Sequence, residues 1–112
     1  MKSFALPMFV ILAEDDPRFR NVLADLLRDE GHTVELVATG AQLLAQMRLR
    51  RPDVLVAHAR LVTAPVYHEL ATAESDTRIV VMSSDYVEVP QGVTVLDKPF
   101  SFEQLRDALA KS

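Results

Sequence analysis

Four short runs that are apolar or β-branched at every position punctuate this chain: residues 9–13, 54–57, 79–82 and 93–96. The purest is Phe9-Val10-Ile11-Leu12-Ala13. A strand with no polar face must be covered on both sides, and the usual solution is a parallel sheet with helices packed above and below. Between the runs the period changes from two to about 3.6. Phe19, Val22, Leu23, Leu26 and Leu27 recur at helical spacing, as do Leu43, Leu44 and Met47 with Ala41, and Phe102, Leu105, Ala108 and Leu109. Residues 33–38 make a further strand, and a weaker segment over 65–73 accommodates a short helix with Val66, Tyr67 and Leu70 inward. Strands alternating with helices imply right-handed crossovers and a doubly wound α/β fold with five parallel strands.

The punctuation residues agree with these boundaries. Asp16 suits a helix N-cap and Pro17 the first turn, and Gly31 ends that helix. Thr39 caps the second helix and Pro52 stops it, while Ser101 with Gln104 three residues on forms a capping box before the last. One connection breaks the alternation. Only residues 84–92 separate the fourth strand from the fifth, whereas a crossover with its helix needs about 10–12 residues, and Pro90 and Gly92 discourage a helix there. The fourth helix is therefore expected to be shortened or missing, and the sheet face beneath it bare.

At 112 residues and 49% hydrophobic content, the chain suffices for one core, so we expect a single domain over 1–112 with 1–7 as an N-terminal extension. A net charge of −4 and a pI near 5.3 argue against nucleic acid as a partner. Arg48, Arg50 and Arg51 read as the solvated C-terminal end of a helix. No cysteine is present, which removes disulfide and thiolate-metal chemistry. Met1-Lys2 before an apolar run has the order of a secretory signal, but Pro7 interrupts it and no small-x-small site follows. Nothing approaches the roughly 18–20 apolar residues of a membrane span. The expected location is the cytoplasm, with no membrane partner.

Chemistry-bearing residues gather at the carboxyl ends of the strands. Glu14-Asp15-Asp16-Pro17 follows the first, His58 closes the third, Ser83-Ser84 follows the fourth and Lys98-Pro99-Phe100 follows the last. In an open parallel sheet these ends share one crevice, where ligands bind.

In the order and spacing of these stations, together with Arg51-Pro52-Asp53-Val54-Leu55-Val56 and Ile79-Val80-Val81-Met82, the chain resembles the receiver domain of response regulators, the CheY-like phosphoacceptor module of two-component signalling, over nearly its whole length. The resemblance implies a flavodoxin-like sheet of order 2-1-3-4-5. It also makes Glu14 and Asp15 the acidic pair that holds Mg²⁺, Ser83 the switch hydroxyl, Lys98 the cation that meets the phosphoryl group and Pro99 a cis-proline. The phosphoacceptor position falls on His58 where the family has Asp, and the aromatic partner of the switch hydroxyl is replaced by Val95.

A neutral imidazole suits Mg²⁺ poorly and offers no anionic oxygen to attack phosphorus, so ordinary aspartyl phosphorylation is expected to be absent. Asp53 lies about five residues back, roughly 16 Å along the strand, and cannot substitute. Asp97 is the surrogate acceptor to test first. Beside each reading stands a plainer one. Glu14 and Asp15 are then a vestigial metal pair that Lys98 neutralises, and Ser83 is a satisfied strand-end hydroxyl. His32 and His68 lie on the surface. Flanked by two carboxylates, His58 is expected to hold its proton more strongly than a free imidazole, either as a structural cation, as a pH-sensitive group, or with Glu14 and Asp15 as a transition-metal site.

The expected function is a degenerate pseudo-receiver, not an enzyme, that acts by phosphorylation-independent protein–protein interaction. No cofactor is expected, and Mg²⁺ only if the pocket still functions. The expected partner is a histidine kinase, response regulator or effector, or a second copy meeting Val66, Val87 and Val89 on the face of strands four and five.

Overall fold

A computed structural model describes residues 7–72 and 76–110 of the chain; the anticipated N-terminal extension lies outside them but for Pro7. Strands β1 (Phe9–Ala13), β2 (Thr33–Val37), β3 (Val54–His58), β4 (Arg78–Ser83) and β5 (Thr94–Asp97) pair in parallel in the order β2-β1-β3-β4-β5. Helices α1 (Pro17–Asp29), α2 (Gly40–Leu49), α3 (Ala64–Thr72) and α4 (Phe102–Ala110) flank the sheet, and a single 3-10 turn (Ala59–Leu61) follows β3.

Alternation along the strands sorts the core into two layers. Val10, Leu12, Val54, Val56, Val80, Met82 and Leu96 pack with Leu23, Leu27, Leu105 and Leu109 of α1 and α4. Ile11, Ala13, Leu55, Ala57 and Val81 face the other way, against Leu43 and Met47 of α2 and Val66 and Leu70 of α3. Both faces of β1 are thus fully dry, which is why its five residues carry no polar atom outside the backbone.

The helix ends follow the capping residues. Asp16 Oδ1 accepts from the Arg18 and Phe19 amides at 3.0 and 3.4 Å, and Gly31, with φ of 96°, takes the left-handed conformation that turns the chain back into β2. Thr39 Oγ1 accepts from the Gln42 amide, and Ser101 and Gln104 exchange both bonds of a capping box, at 2.8 and 3.1 Å. Val22 departs from the expected stripe. It is 56% exposed, and Ala24 takes the inward place because the buried face of α1 is centred on Leu23 and Leu27. Ala41 is likewise exposed.

One surface expectation is overturned. His32 is buried, its Nδ1 accepting from the Met8 amide at 3.1 Å. Arg48 and Arg50 are exposed at the C-terminal end of α2, as expected; Arg48 and, just beyond the helix, Arg51 also reach Glu69 of α3 at 3.1 and 3.4 Å, and the Arg50 guanidinium lies 3.9 Å from the centroid of the Phe9 ring. His68 is exposed, as expected.

No helix forms over residues 84–93; the chain bends at Ser84-Asp85, follows an irregular path to a turn at Gln91-Gly92 and enters β5 in parallel. The sheet face beneath is not bare. Val87, Val89 and Val93 fold back as half-buried residues onto the layer containing Val81 and Tyr67, and Val66 is completely buried. The apolar patch foreseen for self-association through Val66, Val87 and Val89 is therefore largely closed by the connection itself, in which Tyr86 stands exposed.

Candidate functional site at the carboxyl ends of the strands

Parity and register bring the site together. Glu14 continues the alternation of Val10 and Leu12, His58 that of Val54 and Val56, and Lys98 follows Leu96 at the same interval, so all three belong to the α1/α4 side. Because Ala13 pairs with Ala57, the next rung sets Glu14 beside His58. Lys98 arrives from β5, which β4 separates from β3, and spans that distance with its long side chain, the ammonium Nζ lying 4.4 Å over the Phe19 ring centroid. Phe100 packs edge-on against Phe19 at 5.9 Å, completing an aromatic wall. The Lys98–Pro99 peptide is cis.

Glu14 is the most deeply buried charge, at 1% exposure. Its Oε1 accepts from Lys98 Nζ at 3.0 Å and its Oε2 from the Asp16 amide at 3.0 Å, while Arg20 Nη1 donates to its carbonyl at 2.9 Å. Asp15 differs from its neighbour: its side chain is 39% exposed and reaches outward to Arg60, whose Nη2 lies 3.0 Å from Oδ2. Its carboxyl is held below the ordinary range by a hydrogen bond with the Glu14 side chain, against opposing desolvation, with the Arg60 charge adding to the effect.

His58 sits between two cations. Nδ1 is 3.2 Å from Lys98 Nζ and 3.7 Å from Glu14 Oε1, and Nε2 is 3.0 Å from Arg60 Nε. An arginine does not lose its proton in a protein, so Nε2 is the acceptor of the Arg60 Nε–H, while the role of Nδ1 beside the Lys98 ammonium depends on the tautomer of the ring. The expectation that flanking carboxylates strengthen its hold on the proton is overturned. Burial, then the Lys98 charge, and in smaller part Arg60, push the imidazole below its ordinary value of 6.5, outweighing Glu14 and Asp15.

The remaining stations are less central. Ser83 is buried, and its hydroxyl is engaged locally, donating to the Asp85 carbonyl at 2.8 Å and accepting from the Asp85 amide at 3.1 Å. Asp97 is exposed at the end of β5, in register with Ser83. Asp53 lies at the opposite end of β3 and accepts from the Phe9 amide at 2.8 Å. Among the described residues no group of three or more His, Cys, Asp or Glu side chains is arranged to hold a metal ion. Arg60 escaped sequence reasoning. Its one signal was a charged residue two positions beyond the end of an otherwise apolar strand, which is also what an ordinary surface arginine looks like.

A five-stranded parallel sheet of order 2-1-3-4-5 with an acid–lysine crevice at its carboxyl ends defines a CheY-like signalling module. A family model for the response regulator receiver domain matches residues 10–110, and the chain belongs to that family of two-component signalling. It is similar to the probable transcriptional regulatory protein TcrX of Mycobacterium tuberculosis, with 27% identity over 109 aligned residues covering 88% of this chain and 47% of that protein. The chain thus spans about half the length of this relative. The receiver domain of the sensor histidine kinase PA1611 from Pseudomonas aeruginosa PAO1, solved with a magnesium ion coordinated in its active-site cleft, superimposes with a TM-score of 0.77 at 24% identity, covering 93% of this chain and 95% of that one. NtrX from Brucella abortus gives 0.78 at 20% identity over 93% of this chain and 26% of its own. These likenesses are of fold. Among the described residues no helix is long and apolar enough to cross a membrane.

Proposed function

We propose that the chain is a degenerate receiver, one domain over 1–112, that signals by contact with a protein partner and without aspartyl phosphorylation. The observation that carries this reading is the His58 imidazole at the end of β3, held between Lys98 and Arg60 where a receiver needs a carboxylate. A neutral ring with its nitrogens facing two cations supplies neither the oxygen nucleophile nor the third hard ligand.

The residues present do not fit Mg²⁺. Both Glu14 oxygens are taken, one by an ammonium and one by a backbone amide, and Asp15 is turned toward a guanidinium. Among the described residues no buried side-chain nitrogen or oxygen lacks a partner, so no orphaned polar atom asks for an ion. On this reading Glu14 and Asp15 are a vestigial metal pair, Lys98 is their counter-ion, and Ser83 is a strand-end hydroxyl rather than a switch. The module is not an enzyme. Its partner is a kinase, regulator or effector protein of the cytoplasm, and neither nucleic acid nor membrane is involved.

Incubation with acetyl phosphate and Mg²⁺, followed by intact-mass analysis, tests the reading. The expected result is no phosphoryl adduct and no beryllofluoride-induced change in the amide spectrum. An adduct mapped to Asp97 or another carboxylate would replace this reading with an active receiver using a surrogate acceptor.

A further inference from the structure

We infer that Arg60 is a built-in substitute for the divalent cation of this crevice, completing its charge balance and closing it to Mg²⁺. The inference deepens the reading above and rests on it.

The charge count comes first. A carboxylate at the end of β3 would set three acids against Lys98 and leave two negative charges for a divalent ion to balance. With an uncharged imidazole there, Glu14 and Asp15 face Lys98 and one further cation, and Arg60 supplies it at 3.0 Å from Asp15 Oδ2. Two permanent cations then meet two carboxylates. The sum is zero, and an entering dication would find no uncompensated negative charge.

Geometry makes Arg60 more than a nearby charge. Its Nε–H and an Nη2–H run along the same edge of the planar guanidinium, and that edge spans two partners, His58 Nε2 and Asp15 Oδ2, each at 3.0 Å. A lysine ammonium is a point charge without such an edge. The backbone delivers the group to this position. Arg60 lies in the 3-10 turn directly after His58, closed by the Val62 amide on the Ala59 carbonyl at 3.2 Å and pinned by the buried Val62 side chain. Gly40 backs the same turn, because a Cβ there would stand 3.2 Å from the Leu61 carbonyl. The arginine therefore bridges the third strand end to the first, ring to carboxylate, as a shared ion would.

Because the Arg60 side chain is 71% exposed, its effect is to be read in ion affinity rather than in folding. The experiment titrates Mg²⁺ into the unaltered chain, His58→Asp, His58→Asp with Arg60→Ala, and His58→Asp with Arg60→Lys, following the amide resonances of Glu14, Asp15 and Ala59. The unaltered chain is expected to show no saturable shifts, and His58→Asp weak binding. Adding Arg60→Ala should tighten that binding about three- to tenfold, the range set by removing one partly screened cation beside the ion. Arg60→Lys should fall between. Arg60→Ala without effect in the His58→Asp background overturns the inference, as does Mg²⁺ binding by the unaltered chain as tight as that of the double variant.

Should His58→Asp fail to fold, the unaltered chain supplies its own readout: a coupling across the hydrogen bond from Arg60 Nε–H to His58 Nε2 is expected, and a freely exchanging, uncoupled Nε–H overturns the proposal. The two readings fail separately. Phosphoryl uptake by the unaltered chain removes the degenerate-receiver reading, whereas a silent Arg60 series with no uptake removes only this one.

Discussion

The two ends of the sheet use the same residue types for opposite purposes. At the amino end Asp53 accepts from the Phe9 amide at 2.8 Å and His32 from the Met8 amide at 3.1 Å. At the carboxyl end Asp15 is answered by Arg60, Glu14 by Lys98 as well as by the Asp16 amide, and His58 touches both cations. Backbone amides are fixed, neutral donors, so an acid or imidazole bonded to one serves as a structural clip. Long cationic side chains carry full charge and can be exchanged for an ion or lost to a partner. The difference lies in which donor the fold supplies to a carboxylate, and parallel strands supply it asymmetrically, because the crevice opens only at their carboxyl ends.

The strongest way to break this contrast is to remove the cation that answers the buried carboxylate. Lys98→Met leaves Glu14 buried without its counter-ion, and stability in urea is expected to fall by about 2–4 kcal/mol, since stripping one partner from a buried pair strands the other. The His58 resonance should then titrate at higher pH than in the unaltered chain, because a cation that opposes its protonation has gone. A loss no greater than that of an ordinary surface substitution would mean that Glu14 is not held by Lys98.

At the opposite end, Asp53→Ala removes a carboxylate bond to one backbone amide, with an expected cost of about 1–2 kcal/mol in the same denaturation experiment. The pH titration of His58 should be unmoved. A shift of that titration would show the two ends to be electrostatically coupled and would dissolve the distinction drawn between them.

The smallest effect is expected in the pH dependence. The folded chain holds the His58 proton less tightly than the unfolded chain does, so below 6.5 the unfolded state gains protons first. Stability contributed by the neutral ring is therefore present above 6.5 and is lost as pH falls from there through the folded pKa. Asp15 acts in the same direction in more acid solution, its contribution present above 3.8 and lost as pH falls through its lowered folded value. Urea midpoints for the unaltered chain and His58→Gln should converge above the window and separate within it, with the unaltered chain losing more; parallel curves would show that the imidazole does not titrate with folding.

Local chemistry made much of the architecture legible. Dry runs such as Phe9–Ala13 could only be strands covered on both sides, and Asp16, Thr39 and Ser101 marked helix starts because their side chains satisfy amides that no helix can. The missing helix between β4 and β5 was readable from the length of the connection. Its consequence was not, because whether Val87 and Val89 face water or fold back depends on the space left beside Val81 and Tyr67. Val22 shows the limit of periodicity: a stripe is wider than the face a sheet covers, and spacing cannot tell which flank stays outside. His32 shows another, since its partner, the Met8 amide, is 24 residues away in sequence.

By itself the sequence determined the order of elements, the parallel sheet and the set of groups at the strand ends, because burial pattern and capping are local properties of neighbouring residues. Only the tertiary structure decided their electrostatics. Whether His58 favours its neutral or charged form depends on the sum of burial and every charge around it, and two of those charges, Lys98 and Arg60, approach from different sides. A list of residues names the charges, but the distances between them, which the fold alone sets, decide which one prevails.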